Sequence, residues 1–317
     1  MIDRFPELDT ERSLATRAAW LHYVGGLTQA AVAKRLGIPS VKAHRRITRA
    51  VAEGVVKVTI DGLIAECAAL EDRLCDRYGL DICEVAPALG EVGLPLATLG
   101  HAGAGFMRRA IESGGHKVIG LSHGRTLLAA VQQLPQINAP GLRFVSLLGG
   151  LSRSYAANPH DVMHRIAEKC GAQAFVMPVP FYANSVEDRI VLLSQPGVRE
   201  LFDLTGMASL KLVGIGNMST DAQLVSSGMI EASELAAIRA EGGVAETLGH
   251  FFDHNGHVIQ TSLTARTLAA NLDAPGNSSI VAIAGGPDKV EAIRAILMSA
   301  RLRGLITDEM TARALVE

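Results

Sequence analysis

Aromatic side chains are scarce in this chain, with one Trp, four Tyr and eight Phe among 317 residues, so large ring contacts cannot dominate its core. Ala, Val, Leu, Ile and Gly abound instead, within a hydrophobic content of 48%, which is the composition of helices packed on a buried parallel sheet. No run of about 18 apolar residues occurs, which removes any candidate membrane-spanning helix. The opening Met1-Ile2-Asp3-Arg4-Phe5-Pro6-Glu7 does not read as a signal peptide, so a cytoplasmic protein without a membrane partner is expected. Cysteine is limited to Cys67, Cys75, Cys83 and Cys170, none in Cys-x-x-Cys spacing, which favours buried or idle thiols over disulfides or zinc ligands. Neither a phosphate loop ending in Gly-Lys-Ser/Thr nor a strand-linked Gly-x-Gly-x-x-Gly is present, and no cofactor is expected.

The formal net charge of -2 hides an asymmetry. Residues 1–61 carry ten Lys or Arg against six Asp or Glu, a surplus of +4, which leaves -6 on the remainder. Between Lys34 and Lys57 there are seven cations and one anion, Glu53. Only the front of the chain therefore suits a polyanion. Within it, Leu27 to Arg46 reads as two short helices around a glycine turn. Thr28 is placed to cap the first, Ala31, Val32 and Leu36 give it an apolar face, Gly37 supplies a left-handed turn residue, and Pro39 or Ser40 starts the second. The second helix is basic, with Lys42, His44, Arg45, Arg46 and Arg49. A solvated cationic face would look similar, but cap, turn and basic helix together make a helix-turn-helix. Its expected contacts with double-stranded operator DNA are Thr28, Gln29, Ser40, Lys42, His44, Arg45, Arg46 and Arg49.

Past this segment, Gly54 to Gly62 alternates apolar and polar residues, as a short strand or wing would. Leu63, Cys67, Leu70, Leu74 and Tyr78 then recur at helical spacing, and predict an amphipathic helix that either dimerises or packs on its own domain. The expected organisation is a DNA-binding domain over 1–61, a linker helix over 62–80, and an effector-binding and oligomerisation domain over 81–317.

Beyond residue 80, apolar runs repeatedly precede small polar loops. They are Lys117–Leu121, Phe144–Leu148, Phe175–Val179, Leu210–Gly216 and Ile280–Ala284. Helical segments lie between them, which predicts a doubly wound, Rossmann-like α/β sheet with its ligand at the carboxyl ends of the strands. Ser122-His123-Gly124-Arg125-Thr126 has the parts of a phosphate cradle, namely free N–H groups at a helix start, hydroxyls and a guanidinium. Gly149, Gly150, Gly214, Gly216, Gly285 and Gly286 close the other strand ends, and Lys289 adds a point charge beside Pro287. Each glycine alone fits tight packing equally well. Their recurrence on one sheet favours a sugar phosphate or similar anion.

Two histidine groupings, His160 with His164 and His250 with Asp253, His254 and His257, bring a metal to mind. The Asn255-Gly256 turn breaks helical ligand spacing in the second, and no metal is expected.

Taken in order, Ala18 to Tyr23, Leu27-Thr28-Gln29, Ala50 to Val56, Gly124 to Leu127, Gly214 to Gly216, Phe251 to Asp253 with Gly256, Ala284 to Gly286 with Lys289, and Leu305 to Glu309 resemble the SorC group of sugar-binding transcriptional regulators across nearly the whole chain. The resemblance implies an N-terminal DNA-binding domain, a C-terminal domain similar to sugar-phosphate isomerases, and homo-oligomers, dimers or tetramers. It also implies that Ser122, Gly124, Arg125, Thr126, Asp253 and Lys289 line the effector pocket. Arg46 and Pro39-Ser40 depart from the family pattern, so an operator sequence does not carry over. Within the group, Gly37 to Ala43 and Val55 to Asp61 look closest to regulators of erythritol or related polyol catabolism. The expected function is a regulator, without enzymatic activity, whose operator binding is controlled by a sugar or polyol effector, expected to be phosphorylated, that changes the spacing or stability of the DNA-binding domains. The alternative is a sugar-phosphate isomerase-like enzyme fused to a DNA-binding domain, with Asp253, Glu246 or His123 as its base.

Overall fold

Small residues set the scale of the first unit. In the computed structural model, which describes residues 10–56, 64–150, 162–220, 222–273 and 278–317, the chain divides into Met1–Asp61 and Gly62–Glu317. In the first unit, the helix Thr10–Ala19 runs into a π-helical turn, Trp20–Val24, followed by helices Gln29–Leu36 and Ser40–Ala52. Ala18, Val32, Ala33, Ala43 and Ile47 form one core cluster and Ala15, Ala19 and Ala50 a second, so the helices close on alanine rather than on rings. Thr28 accepts the Ala31 N–H at 3.2 Å. Gly37, with φ 65°, ends that helix in the left-handed region, while the Ile38 N–H reaches back to the Ala33 carbonyl at 3.0 Å. This is the helix-turn-helix geometry. Val55 and Val56 form no strand, and the rest of the expected wing, residues 57–62, lies outside the described residues.

The second unit is an α/β domain. Its parallel strands are β1 (Ile82–Ala86), β2 (Val118–Leu121), β3 (Arg143–Ser146), β4 (Gln173–Phe175) and β5 (Leu210–Val213). A small antiparallel sheet follows, made of β6 (Gly216–Asn217), β7 (Ala245–Thr247), β8 (His250–Phe252) and β9 (Val258–Ile259). β10 (Ser279–Ile283) and β11 (Gly304–Asp308) complete the parallel sheet, whose order is β1-β11-β10-β5-β2-β3-β4. Alternate residues of one strand enter opposite cores. Val281 and Ile283 pack with Phe106, Met107 and Leu127 on one face, and Ile280 and Ala282 pack with Phe251, Ile293 and Leu305 on the other.

From β2 the chain winds one way through β3 and β4, and from β5 it winds the other way through β10 and β11. The winding direction therefore reverses between adjacent β2 and β5, where the diverging loops open a crevice beyond the carboxyl ends.

The amphipathic helix is observed as Ala65–Tyr78, and it packs on its own domain. Cys67, Leu70 and Leu74 are buried in the larger core, the Tyr78 hydroxyl donates to the Leu315 carbonyl, and Glu71 accepts the Val85 N–H at 2.8 Å. Leu63 lies outside the described residues. The Phe175–Val179 run is a strand only up to Phe175. Pro178 has no N–H for a ladder, and Met177 and Val179 enter a small satellite core instead.

Candidate functional site

The crevice at the winding reversal holds most of the residues singled out by sequence. Ser122, His123, Gly124, Arg125, Thr126, Gly214, Gly216 and Lys289 line one cleft that encloses about 760 Å³ of empty space, part of it open to solvent. Gly124 sits at φ 140°, a conformation that side-chain-bearing residues rarely adopt, and caps the helix Arg125–Gln133. The first N–H groups of that helix have no intrahelical acceptor, and the residues that carry them, Arg125 and Thr126, line the cleft. The Ser122 hydroxyl is buried and accepts the Gly214 N–H at 3.2 Å, which ties the loop after β2 to the loop after β5. Thr247 donates to the Gly214 carbonyl at 2.9 Å and fastens the small sheet to the same loop.

Lys289 comes from the turn Pro287–Lys289, and its Nζ donates to the Ile215 carbonyl at 2.6 Å. Burial, and then repulsion from Arg125, hold its ammonium down to about 8 against the pull of Glu246. Arg125 is exposed at the mouth and makes no hydrogen bond or ion pair among the described residues. Two cations that repel one another across an open cleft form a site for an anion.

Glu246 lines the same cleft. It lies on β7 opposite Gly216, buried, with one carboxylate oxygen accepting the Gly249 N–H at 2.7 Å. The other faces Gly216, where a Cβ would approach to 2.9 Å, so glycine leaves that oxygen its room. Burial pushes this carboxyl up to about 7, with the Gly249 N–H and Lys289 opposing. Because the folded value lies above the ordinary 4.5, the folded chain holds a proton between these limits that the unfolded chain has released. The contribution of Glu246 to the stability of the ligand-free chain should thus fall as pH rises from about 4.5 through about 7, while Lys289 titrates above that window. Melting curves of wild type and Glu246→Gln between pH 5 and pH 7 check this, in steps of about half a unit, and the variant should lose up to one proton's worth of slope.

Five expected pocket residues stand elsewhere. Asp253 closes the turn between β8 and β9, accepting the Asn255 and His257 N–H groups at 2.9 Å each, so its carboxylate is spent on the hairpin. Gly149 packs on the Pro180 carbonyl, leaving no space for a Cβ. Gly150 lies behind the lining, where a Cβ would stand 3.7 Å from His123 Nε2. Gly285 abuts the Asp308 carboxylate, and the Gly286 N–H donates to Asp308 at 3.1 Å and to Thr311 at 2.8 Å. These two glycines therefore anchor the turn that carries Lys289 and make no part of the wall. Glu246 was expected only as an enzyme's base, and Asn217, Gln223 and Phe181 line the cleft without having been expected. The sole sequence signal for Glu246 is a lone acid inside the apolar run Val244–Leu248.

In the helix-turn-helix unit, Thr28, Gln29, Ser40, Lys42, His44, Arg45 and Arg49 are all exposed, but their side chains are not equally available. Thr28 is used as the cap. Gln29 and His44 hydrogen-bond across the two helices at 3.2 Å. Arg49 pairs with Glu53, which caps the end of its helix. Arg46 is correctly placed on the helix but turned inward, where it pairs with Glu11 at 3.0 Å and is only 14% exposed, which withdraws it from the expected DNA contacts. Lys42 and Arg45 make no hydrogen bond or ion pair among the described residues.

Among the described residues no three His, Cys, Asp or Glu side chains converge on a metal-sized site, and no helix is long and apolar enough to cross a membrane. His160 lies outside the described residues.

Comparison with known proteins agrees with this architecture. Residues 63–317 match the sugar-binding domain family Sugar-bind. The erythritol catabolism regulatory protein EryD of Brucella abortus is 65% identical over 308 residues, covering 97% of this chain and 98% of that protein. The transcriptional regulator LsrR of an Enterobacter strain is 31% identical over 97% of this chain and 94% of its own length. Among solved structures, the full-length sorbitol operon regulator SorC of Klebsiella pneumoniae superposes with a TM-score of 0.70 at 24% identity, over 98% of this chain and all of that one. The chain belongs to the SorC-type family of sugar-binding transcriptional regulators.

Proposed function

We propose that this regulator controls genes of polyol catabolism through a short polyol carrying a phosphate group, bound in the cleft between Arg125, Lys289 and Glu246. The observation that carries the reading is the polarity of that cleft. Arg125, Lys289 and a helix N-terminus line it together with the Glu246 carboxylate and the amides of Asn217 and Gln223. The cations suit a phosphate, while a carboxylate and amides suit hydroxyl groups. The 65% identical relative is named for erythritol catabolism, which supports a four-carbon polyol as the carbon skeleton. DNA binding is assigned to residues 1–61 and effector binding to residues 81–317, with the chain acting as a homo-oligomer.

The test is a thermal-shift and titration series with erythritol, erythritol phosphate, and free and phosphorylated sugars of four to six carbons. A phosphorylated tetritol at about a hundredfold excess over its Kd should stabilise the chain by about 2.7 kcal/mol. The same compound should change affinity for the promoter DNA of the genes beside its own. No shift with any compound of the series would overturn the reading.

A second reading, isomerase chemistry on a sugar phosphate, is favoured by one observation. Glu246 is a buried carboxyl held near neutrality in the cleft, as a base in an enediol mechanism would be. Deuterium uptake from D2O at the carbon beside a substrate carbonyl would establish it. The regulator reading expects none.

A further inference from the structure

The outward side of the helix Ser40–Ala52 carries an apolar residue that no packing explains. Ala43, Ile47 and Ala50 are its buried residues. At about 3.6 residues per turn, the side opposite them presents Val41, Arg45, Thr48 and Arg49. His44, to one side, is engaged by Gln29, Arg46 by Glu11 and Arg49 by Glu53, which leaves Val41, Arg45 and Thr48, of which Val41 and Arg45, one turn apart, lie toward the start of the helix. Val41 is 71% exposed. A β-branched residue there gives up helix propensity relative to alanine and gains no burial in return within its unit.

Exposed Lys42 and Arg45 stand beside it on the same helix, and exposed Lys34 and Arg35 end the preceding helix of a basic unit, so the partner that suits this surface is a polyanion. Within the major groove of DNA, the one apolar group displayed by the base edges is the C5 methyl of thymine, and arginine's preferred partner there is guanine. Resting on the reading of this helix as the one that enters the groove, we propose that Val41 packs against a thymine methyl while Arg45 binds a neighbouring guanine. Val41 lies in the helix's first turn, the part that meets base edges in this motif. Residues four apart rise about 6 Å along the helix, or about two base-pair steps, so the thymine and guanine are adjacent or separated by one pair.

The experiment selects binding sites from random double-stranded DNA with the full chain, using wild type, Val41→Ala and Arg45→Ala. Each thymine of the wild-type consensus is then replaced singly by deoxyuridine, which removes the methyl group alone. Wild type should enrich a thymine within two steps of a guanine and lose about fourfold in affinity when that thymine becomes uracil, the effect of burying one methyl group. Val41→Ala should bind the thymine and uracil sites equally and keep the wild-type salt dependence, and Arg45→Ala should lose the guanine preference. Because Val41 is exposed and alanine favours helix, folding is not at issue in that variant. Equal uracil sensitivity in wild type and Val41→Ala, or no methyl-sensitive thymine at all, overturns the proposal and leaves the helix as reader. If wild type enriches no sequence, the groove-entering role of the helix falls with it.

Discussion

The double variant Lys42→Ala/Arg45→Ala should bind promoter DNA weakly and with a flatter salt dependence, whereas Arg46→Ala should bind it nearly as wild type does. The two expectations differ because one helix uses its cations in two ways. Lys42 and Arg45 are exposed and make no hydrogen bond or ion pair among the described residues, and Arg46 turns back onto Glu11 of the first helix. Removing a phosphate contact lowers the slope of log affinity against log salt by about one unit, and removing a base contact costs roughly 1 to 3 kcal/mol. If Lys42 meets a phosphate and Arg45 a base, the double variant combines both losses. Arg46→Ala removes the packing of a mostly buried side chain and its ion pair to an exposed Glu11 within the unit, and should appear in the melting temperature instead. Arg49, shared with Glu53, should fall between these cases. Salt-dependent titrations of the three proteins on one promoter fragment decide the matter. Unchanged affinity in Lys42→Ala/Arg45→Ala would sink the assignment of this helix to DNA.

Arg46 also marks where sequence reading stopped. The segment Lys42–Arg49 shows its basic character in the letters alone, because cap, turn and period are local. Which cation is free depends on Glu11, thirty-five residues earlier, and no local pattern reports that pairing. The parallel sheet was legible for the same local reason. Buried strands such as Val118–Leu121 and the Ile280–Ile283 part of β10 are continuous apolar runs bounded by polar loops, and β5 reads so but for the buried Lys211. The small sheet that supplies Glu246 was not, since its four strands have two or three residues each, too few for a period to register. Glycine misled in a consistent way. Gly124, Gly214 and Gly216 do border the cleft, but Gly149 and Gly285 are glycine because a carbonyl or a carboxylate occupies the place of a Cβ. A sequence shows that a side chain is missing and does not show what fills the space.

The largest effect expected at the cleft belongs to Arg125. It is exposed at a helix start and faces Lys289, whose own charge is already disfavoured by burial and by that same guanidinium. A bound phosphate would meet both cations, relieve their repulsion and draw a full proton onto Lys289. Arg125→Ala should therefore cost a charge-assisted, bidentate contact on the order of 1.5 to 3 kcal/mol, about ten- to a hundredfold in affinity for the phosphorylated effector. Affinity for the unphosphorylated polyol should change little, because its hydroxyls are met by Glu246 and the amides of Asn217 and Gln223. The pH profile carries a second mark. As Lys289 is held near 8 in the free protein, wild-type affinity for the phosphorylated form should decline as pH rises above that value. In Arg125→Ala the repulsion is gone, and the decline should begin at higher pH. DNA binding without effector should survive, which gives a regulator fixed in its ligand-free response rather than an unfolded protein. Calorimetric titrations of wild type, Arg125→Ala and Lys289→Met with both forms of the polyol, from pH 6.5 to about pH 9, read all of this. Equal wild-type affinity for the two forms would remove the phosphate from the cleft and leave a plain polyol site, with Lys289 serving only to hold the Ile215 carbonyl.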